Sequence, residues 1–306
     1  MKCPLCFGES FHYSKIETQE QKCYRNKAGI FKCLACGLLF LEDYQMPRND
    51  LYQSEYSVWG KDLEKNEKII AESKKQAFFY QLKKLLQFIR PENKKLLDIG
   101  TGKGYFLEEA EKVGFDVFGL DISQYACESS QKKFKGKIFQ GELSDSAYPE
   151  NYFDVVSATD FIEHISDPQK LLREISRIIK PKGFLFLITP DISSFSRKIW
   201  GRRWFQYKYE HVIYWEQKTL QRLLQNHDFE IVFCRSNYKR FQLGYYRFYF
   251  QKYAFFGLRK PLLFFLKILP NFIKNLSFSN PLTGELILIA KSTKKYVPDF
   301  PHNSHS

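Results

Sequence analysis

The chain has 306 residues, of which 44% are hydrophobic and 26% charged, with only 12 prolines and 16 glycines. This length predicts one sizeable domain with a smaller module beside it, and the composition excludes collagen-like and wholly disordered proteins. The formal net charge of +13 leaves nucleic acid, anionic lipid and phosphorylated small molecules open as partners.

Residues 1–42 are predicted to be a metal-binding module. They carry two Cys-x-x-Cys pairs, Cys3 with Cys6 and Cys33 with Cys36. The N-terminus lacks a signal-peptide pattern and no apolar run approaches the ~20 residues that span a bilayer, so we expect a cytoplasmic protein with reduced thiols. Four thiolates at this spacing are typical of a closed, structural zinc site, whereas redox-active dithiols would need a thioredoxin-like unit around them. The module is therefore predicted to be a zinc ribbon.

Residues 43–92 are predicted to be a linker followed by a helix. The linker carries Tyr52 and Tyr56 among polar residues. From 61 to 90, apolar residues recur at a spacing of about 3.6, as on the buried face of a helix. Pro91 ends this pattern.

Residues 93–236 alternate short apolar strands with helices. The helix at 168–180 has the clearest ends, because Asp167 is a good N-cap, Pro168 suits the first turn and Pro181 stops it. The predicted strands cover 95–99, 116–120, 137–140, 153–158, 184–189 and 229–233, and the other helices cover 104–113, 123–134 and 218–227. This alternation predicts a doubly wound, parallel α/β sheet with its ligand site beyond the carboxyl ends of the strands. We expect 284–292 to supply the last strand and 293–306 to be a tail.

A glycine-rich loop, Asp98-Ile99-Gly100-Thr101-Gly102-Lys103-Gly104, ends the first strand of this region. Alternate glycines let the backbone turn tightly and approach a ligand, with the N–H groups of the next helix facing it. The spacing matches neither the dinucleotide fingerprint nor the P-loop, and by itself the loop favours a tight strand-to-helix turn without a ligand. Asp121 ends the next strand, at the separation from which a carboxylate accepts both hydroxyls of a ribose. Together the two features predict a bound nucleoside.

From about residue 95 to 233 the sequence resembles the class I S-adenosylmethionine-dependent methyltransferases. Besides the glycine loop and Asp121, the matching pieces are Gly141-Glu142, Phe153-Asp154-Val155-Val156, Glu163-His164-Ile165-Ser166-Asp167-Pro168 and Lys180-Pro181-Lys182-Gly183-Phe184. The resemblance implies a Rossmann-like methyltransferase sheet with an antiparallel last strand. It also implies S-adenosylmethionine as the cofactor.

The resemblance further implies roles for single residues. The implied cofactor contacts are Asp98, Gly100, Gly102 and Gly104 for the methionine portion, Asp121 for the ribose, Ile122 for one face of adenine, Glu142 with Leu143 for the adenine edge, and Thr159 at the transfer site. Asp160 would line the same site. Family members more often have aspartate at the position of Glu142.

Two histidines are candidates for a general base. The sulfonium methyl is already activated, so the enzyme must align the acceptor, exclude water and, for a hydroxyl or carbon acid, remove a proton. His164 follows the strand at 153–158, although it is also a plausible helix-start residue bonded to backbone. His211 lies in a Trp204 to His211 segment that resembles a W…EH motif of bacterial methyltransferases of sugars and related metabolites. A histidine packed under a lid is the alternative for His211.

The order of zinc ribbon, Tyr-x-x-x-Tyr linker and methyltransferase core resembles bacterial enzymes that methylate nucleotide-linked sugars or surface-polysaccharide intermediates. In those enzymes the ribbon and the linker tyrosines close over the acceptor. The resemblance therefore implies that Tyr52, Tyr56, Asp160 and Trp204 contact the substrate. The implied reaction is O- or C-methylation of a sugar, or of a nucleotide- or lipid-linked saccharide.

Residues 237–283 are predicted to be a basic, aromatic, helical insertion. Between 231 and 284 the sequence has nine Lys or Arg, fifteen Phe or Tyr and no acidic residue. We expect this segment to cap the active site, with peripheral contact to an anionic membrane as the alternative. Because basic and aromatic side chains also track RNA, an rRNA-type base methyltransferase is a second functional hypothesis. A non-catalytic adaptor with a zinc ribbon and a degenerate methyltransferase scaffold is the third.

Overall fold

The computed structural model describes residues 1–17, 27–46, 60–208, 210–242, 263–264, 268–270 and 277–295. Tyr52 and Tyr56, predicted to contact the substrate, lie outside these residues. So does most of the predicted basic aromatic insertion.

The described residues form strands and helices in the predicted alternation. In chain order they are β1 Ser10–Glu17, β2 Lys27–Cys33, β3 Leu39–Leu41, α1 Gly60–Leu85, β4 Lys95–Ile99, α2 Tyr105–Lys112, β5 Asp116–Asp121, α3 Gln124–Gln131, β6 Ile138–Gln140, β7 Phe153–Thr159, α4 Pro168–Ile178, β8 Ile179–Pro190, α5 Phe195–Trp200, β9 Ile213–Tyr214, α6 Gln217–Gln225, β10 Phe229–Gln242 and β11 Ser277–Ser292.

The large sheet has seven strands in the order β10-β11-β8-β7-β4-β5-β6. The strands from β4 to β8 pair in parallel, and β11 pairs antiparallel with both β8 and β10. Every residue of β7 is buried, as expected for a central strand covered by helices on both faces. The predicted fold class, a doubly wound Rossmann-like sheet with an antiparallel last strand, is confirmed.

Helix α4 shows how local sequence positions the elements around this sheet. The side chain of Asp167 accepts a hydrogen bond from the backbone N–H of Lys170, and Pro168 occupies the first turn. The buried side chains of α4 form one apolar stripe against the sheet, as helical periodicity requires: Leu171, Leu172, Ile175 and Ile178.

Several predicted boundaries differ from those observed. Strand β8 begins at Ile179 rather than near 184, and a register shift in its pairing with β7 accommodates the extra residues. Strand β10 runs to Gln242 and β11 begins at Ser277, so both ends of the predicted helical insertion are strand. The physical reason is cross-strand pairing: Lys239 opposes Asn280 and Phe241 opposes Phe278, so the strand hydrogen bonds continue past the core.

A second, four-stranded sheet joins the N-terminal module to the methyltransferase core. Its order is β1-β2-β3-β9, and β9 belongs to the core by sequence. Leu39 pairs with Tyr214 and Phe40 with Ile213 across the β3–β9 step. Leu5, Leu38, Phe40 and Leu41 belong to the same buried cluster as Ile213, Trp215 and Leu172. The cysteine module therefore shares both hydrogen bonds and apolar core with the larger domain.

No helix among the described residues is long and apolar enough to cross a membrane.

Candidate functional site

A cleft opens at the carboxyl ends of β4 and β7, where the doubly wound topology predicts a ligand. It encloses about 690 Å³, part of which is open to solvent. Its lining comes from the glycine loop, from the end of β7 and from helix α1: Asp98, Gly100, Thr101, Gly102, Lys103, Tyr105, Phe106, Thr159, Asp160, Ile70, Lys74 and Phe78. The cleft thus gathers several of the predicted cofactor residues.

The glycine loop turns through backbone conformations that only glycine adopts easily. Gly100, Gly102 and Gly104 have φ angles of 74°, 53° and 76°, all in the left-handed region. A Cβ on Gly100 would lie 2.5 Å from the Phe161 ring, and one on Gly104 would lie 2.9 Å from the Phe134 ring. These glycines are therefore required for both conformation and space.

The Gly100→Ala substitution tests this packing, and Gly136→Ala is its matched control. Gly136 has the same φ of 74° but no heavy atom within 4 Å of an added Cβ. In both variants an alanine in the left-handed conformation costs about 1–2 kcal/mol of stability. Only in Gly100→Ala does the added methyl group also push the Phe161 ring away. We expect urea unfolding to show a larger loss of stability for Gly100→Ala, with weaker S-adenosylmethionine binding in that variant alone. Equal losses in both would show that the Phe161 contact is unimportant.

Asp98 is a buried carboxyl at the base of the cleft. It is 1% exposed, and the Ser157 hydroxyl donates to its Oδ1 at 2.7 Å. Burial raises the pKa of Asp98 to about 7, against the opposing effect of the Ser157 hydrogen bond. A carboxylate in so apolar a position is stabilised when a positively charged ligand group binds beside it.

Because of this raised pKa, we expect Asp98→Asn to increase the stability of the fold and to weaken cofactor binding. Between the ordinary carboxyl pKa of 3.8 and the folded value of about 7, the folded state holds a proton that the unfolded state has lost. Stability therefore falls as pH rises through this window. Asp98→Asn should remove that loss and be more stable than wild type at pH 8, by on the order of a few kcal/mol, while binding S-adenosylmethionine less tightly. Urea unfolding and calorimetry at pH 6 and pH 8 measure both.

Asp154→Asn serves as a control, because the pKa of Asp154 is shifted in the opposite direction to that of Asp98. Asp154 begins β7 at the far end of the sheet, where Lys180 Nζ lies 2.7 Å from its Oδ2. Burial opposes ionisation, but Lys180 and the Lys95 backbone N–H outweigh it, and the pKa of Asp154 is lowered. The ionised form therefore stabilises the fold at neutral pH, so Asp154→Asn should lose stability there. A destabilised Asp98→Asn at pH 8 would contradict the burial argument.

Asp121 connects the second strand of the core to the glycine loop. Its Oδ2 accepts from the backbone N–H of Gly102 at 2.8 Å, and its Oδ1 accepts from that of Ser123 at 2.9 Å. The carboxylate therefore braces the loop, which the sequence did not predict. Ile122 beside it is 39% exposed, so an apolar face is open to a ligand. The predicted ribose and adenine contacts of these two residues stay predictions.

The predicted adenine-edge residues lie on the loop after β6. Leu143 is 5% exposed and packs in the core. Glu142 is exposed on its side chain, with Lys170 Nζ 3.6 Å away. The structure thus leaves the Glu142 side chain accessible, whereas the contact predicted for Leu143 stays a prediction.

Thr159 and Asp160 end β7 at the cleft. Asp160 has a φ of 51°, an uncommon conformation for a non-glycine residue that often marks functional sites. Lys239 Nζ lies 3.0 Å from Asp160 Oδ2 and 2.7 Å from Oε1 of the buried Glu285. Burial lowers the pKa of Lys239, but the two carboxylates outweigh it and hold its pKa above the ordinary value. Sequence reasoning missed Lys239 and Glu285 because they come from distant strands.

The two candidate histidines lie next to each other, with ring centroids 4.9 Å apart in an edge-to-face arrangement. His211 is 3% exposed, whereas His164 is half-buried. Nδ1 of His164 lies 2.8 Å from the Glu210 carbonyl oxygen, and Nδ1 of His211 lies 3.0 Å from that of Gln206. Burial lowers the pKa of His164 and, more strongly, that of His211. Both imidazoles are therefore neutral near pH 7, the form that can accept a proton.

Glu163 completes this histidine cluster and was missed as a site residue. It is 1% exposed, and its Oε2 accepts from the Thr189 hydroxyl at 2.9 Å. Burial, with Asp160 nearby, raises the pKa of Glu163 to about 8. Its position directly before His164 was the available signal, since a Glu-His pair at the end of a core strand places two polar groups at the ligand-binding edge.

Trp204, predicted to contact the substrate, is fully buried. Its indole N–H donates to Ser196 Oγ at 2.9 Å, and its ring packs against Tyr207. Gly284 makes room for it, because a Cβ there would lie 3.0 Å from the indole ring. The structure gives Trp204 a packing role.

The four cysteines of the N-terminal module converge as their spacing predicts. Their Sγ atoms lie within 4.8 Å of one another, with Cys3 to Cys36 at 3.6 Å and Cys6 to Cys33 at 3.5 Å. Tetrahedral zinc with Zn–S bonds of about 2.3 Å needs sulfur atoms about 3.8 Å apart. The donor set and its spacing therefore fit zinc.

Backbone N–H groups also point at these sulfur atoms, at 3.4 Å from Leu5 to Cys3 and from Cys36 to Cys33. After Cys36, Gly37 takes the left-handed backbone conformation. After Cys6, the residue in that conformation is Phe7 and not Gly8.

Comparison with known proteins agrees with the geometry of the cleft. The family described as methyltransferase domain matches residues 73–233, more than half of the 306 residues. The ubiquinone biosynthesis O-methyltransferase of Leptothrix cholodnii is 31% identical over 103 residues, which cover 31% of this chain and 43% of the relative. The enzyme of the same name from Proteus mirabilis is 33% identical over 103 residues, covering 31% and 42%. The chain thus matches less than half the length of these relatives.

Solved structures share the fold. A chain in the complex between the Haloferax volcanii Trm112 methyltransferase activator and its methyltransferase-assigned partner superposes with a TM-score of 0.53 at 16% identity, covering 78% of this chain and 98% of that one. A Bacillus halodurans C-125 protein assigned to the methyltransferases gives 0.50 at 18% identity, covering 70% and 99%. The cleft, the strand order and the family match lead to one conclusion. The chain belongs to the methyltransferase-domain family and has a Rossmann-like methyltransferase fold.

Proposed function

We propose that this enzyme methylates a hydroxyl or carbon acid of a small polar acceptor, namely a sugar or a nucleotide- or lipid-linked saccharide, with one of His164 and His211 as the general base. The observation that carries this proposal is the orientation of the two imidazoles. Each Nδ1 faces a backbone carbonyl oxygen, which can only accept a hydrogen bond. The proton therefore lies on Nδ1 of each ring, so Nε2 is the nitrogen with basic character.

The position of the histidine cluster supports this role. Thr159 and Asp160 line the cleft, and the turn Ile162–His164 follows them directly. Of the predicted cofactor residues, Asp98, Gly100 and Gly102 line the cleft on the glycine loop, and Thr159 lines it at the end of β7. An acceptor bound beside Thr159 and Asp160 would lie near the methyl donor and near the turn that carries His164, so that alignment with the methyl group and removal of the proton would take place together.

Charge around the cleft supports an anionic acceptor. Lys74 and Lys103 line it, and Lys239 lies at its Asp160 side. Burial, with a smaller effect from the neighbouring lysines, lowers the pKa of Lys74 to about 8 against the opposing effect of Asp160. The phosphates of a nucleotide- or lipid-linked saccharide would relieve the repulsion among these lysines. The O-methyltransferase relatives support a hydroxyl as the accepting group.

The cofactors that belong to this proposal are S-adenosylmethionine in the cleft and a structural zinc ion on Cys3, Cys6, Cys33 and Cys36. The site fits a nucleoside with a positively charged sulfonium, because the Asp98 carboxyl lines the cleft and the Asp121 carboxylate is bonded to the backbone N–H of Gly102 in the glycine loop. Bound S-adenosylmethionine supplies an activated methyl group. The protein then orients the acceptor, excludes water and takes its proton.

The test combines calorimetry with a labelled-methyl screen. Wild-type protein should bind S-adenosylmethionine and transfer label to a member of a panel of nucleotide sugars, lipid-linked saccharides and free sugars. Phenolic quinone precursors and bulk RNA serve as competing acceptors. Label only in a phenol or in RNA would overturn the saccharide assignment, and folded protein without S-adenosylmethionine binding would favour a non-catalytic adaptor.

A further inference from the structure

Helix α5 presents large apolar side chains to solvent. Phe195 is 67% exposed and Ile199 is 52% exposed, and their spacing of four residues places them on the same face of the helix. Lys198, which lies between them in the chain, is exposed as well. Neighbouring apolar side chains left open to water often mark an interaction site.

The packing of the inner face of α5 fixes this orientation. Ser196 is fully buried, and its hydroxyl accepts the indole N–H of Trp204 at 2.9 Å. Nε of Arg197 donates to the phenol oxygen of Tyr207 at 3.3 Å. The Ser194 side chain caps the helix by accepting from the backbone N–H of Arg197. Because these hydrogen bonds hold the inner face against the core, the helix cannot rotate to bury its apolar outer face.

The chain around α5 is strongly basic. Residues 192–209 contain five Lys or Arg and no Asp or Glu. Arg202, in the turn that follows the helix, is exposed like Lys198. We call Phe195, Lys198, Ile199 and Arg202 the basic apolar surface. An excess of positive charge beside exposed apolar groups favours an anionic partner that also has an apolar phase.

The zinc module extends the basic apolar surface. Strand β1 contacts the turn that follows α5, and the Tyr13 side chain of β1 interacts with that of Arg197. Phe11 and Tyr13 are 44% and 43% exposed, and their ring centroids lie 6.5 Å apart. Lys32 Nζ lies 5.6 Å from the centroid of the Tyr13 ring. Exposed aromatic rings with a lysine beside them therefore continue the surface beyond the helix.

We propose that the basic apolar surface docks on a lipid bilayer that contains anionic lipids. The basic side chains attract the charged headgroups, while Phe195 and Ile199 enter the boundary between headgroups and acyl chains. RNA is the alternative anionic partner, but proteins hold its bases by stacking them on aromatic rings or guanidinium groups. The aliphatic Ile199 offers no such contact, so the exposed side chains favour lipid.

The basic apolar surface lies at the same edge of the large sheet as the cleft. Helix α5 follows the carboxyl end of β8, and the cleft opens at the carboxyl ends of β4 and of β7, which is parallel to β8. Docking would therefore bring the cleft edge towards the bilayer, where a lipid-linked saccharide is held. That consequence rests on the proposed function, whereas bilayer binding itself does not depend on methyl transfer.

Vesicle co-sedimentation of the full chain tests the proposal. We expect binding to vesicles of equal parts phosphatidylcholine and phosphatidylglycerol, which weakens as salt is added, and little binding to phosphatidylcholine alone. S-adenosylmethionine calorimetry on the same samples reports the proposed function separately, so either result can fail without the other. No binding to the mixed vesicles, equal binding to both kinds, or release from the mixed vesicles by bulk RNA would overturn the proposal.

Two double variants locate the surface. Lys198→Ala with Arg202→Ala should weaken vesicle binding about 30-fold, since each basic residue near an anionic membrane contributes about fivefold. Phe195→Ser with Ile199→Ser should weaken it at least about tenfold, because two apolar side chains no longer enter the bilayer. Thermal midpoints close to that of wild type will show that both variants are folded.

Matched controls remove charge or apolar surface elsewhere. Lys132 and Lys135 are exposed after α3, which contacts the edge strand β6, whereas α5 contacts β11 near the opposite edge of the sheet. Leu34 is 70% exposed on the zinc module. Lys132→Ala with Lys135→Ala, and Leu34→Ser, should bind vesicles like wild type. Controls that lose as much binding as the surface variants, or surface variants that bind like wild type, would contradict the assignment.

Discussion

Single replacement of His164 and His211 by alanine is expected to lower the methyl-transfer rate of at least one variant by about 10²–10⁴-fold, the usual contribution of a positioned general base. Burial holds the pKa of both histidines below the ordinary value, so the neutral base is the populated form at pH 7. S-adenosylmethionine affinity should stay unchanged, because neither histidine lines the cofactor cleft among the described residues. Single-turnover rates with labelled cofactor, paired with calorimetry, separate the two effects.

The contact between the two imidazole rings affects the transfer rates expected of the two alanine variants. With centroids 4.9 Å apart, removal of one ring loosens the other, so both variants should slow and the base should show the larger loss. His227→Ala is the matched control: this histidine is half-buried and bonded to Gln169 Oε1 at 2.5 Å, away from the cleft. Full rates in both His164→Ala and His211→Ala would remove the general base from the mechanism.

Removal of zinc from the cysteine module is expected to have the largest effect on stability. Structural zinc contributes about 10–16 kcal/mol of binding free energy in small zinc-binding peptides, and that free energy becomes folding free energy. Here the module also shares its core with the large domain, through residues such as Leu5 and Phe40. Chelation, or Cys33→Ser with Cys36→Ser, should therefore lower the thermal midpoint sharply and unfold residues 1–42.

We expect the removal of zinc to affect the histidine cluster as well, through backbone hydrogen bonds between the two regions. The N–H of Leu41 donates to the Val212 carbonyl, and the N–H of Val212 donates to the Glu163 carbonyl, both at 2.9 Å. We therefore expect amide hydrogen exchange at 211–214 to speed up in zinc-free protein, and transfer activity to fall further than S-adenosylmethionine affinity. Cys234→Ser, outside the module on β10, should behave as wild type. Unchanged exchange at 211–214 would mean that the two regions are energetically independent.

Much of the fold could be predicted from the sequence because the signals are local. Apolar runs, the Asp167 cap with Pro168, and the alternation of strand with helix each depend on residues close together in the chain. The cysteine cluster was also predictable, since Cys-x-x-Cys turns have few other uses at this spacing. Boundaries were wrong where tertiary pairing decides them, as in β10 and β11, whose ladder continues to Gln242 and Ser277.

Some residues of the candidate site were likewise predictable from the sequence, and others were not. The glycine loop, Asp121 and the two histidines could be singled out from residue type and spacing. The bridge from Lys239 to Asp160 and Glu285 could not, because its three members are brought together by strands far apart in sequence. The predicted substrate contact of Trp204 depended on a motif, and a motif gives only the identity of a residue. The packing in the structure shows that the indole points into the core, where its N–H donates to Ser196.

A Rossmann-like methyltransferase sheet and a four-cysteine module were both predictable from the chain alone, because both depend on short-range patterns of glycine, acid and cysteine. That the cysteine module is joined to the core through β3 and β9 is visible only in the folded chain. The same holds for the position of Glu163 beside the two histidines, with one carboxyl oxygen left unpaired. Such contacts depend on which surfaces fold against each other, and no local pattern in the chain encodes that.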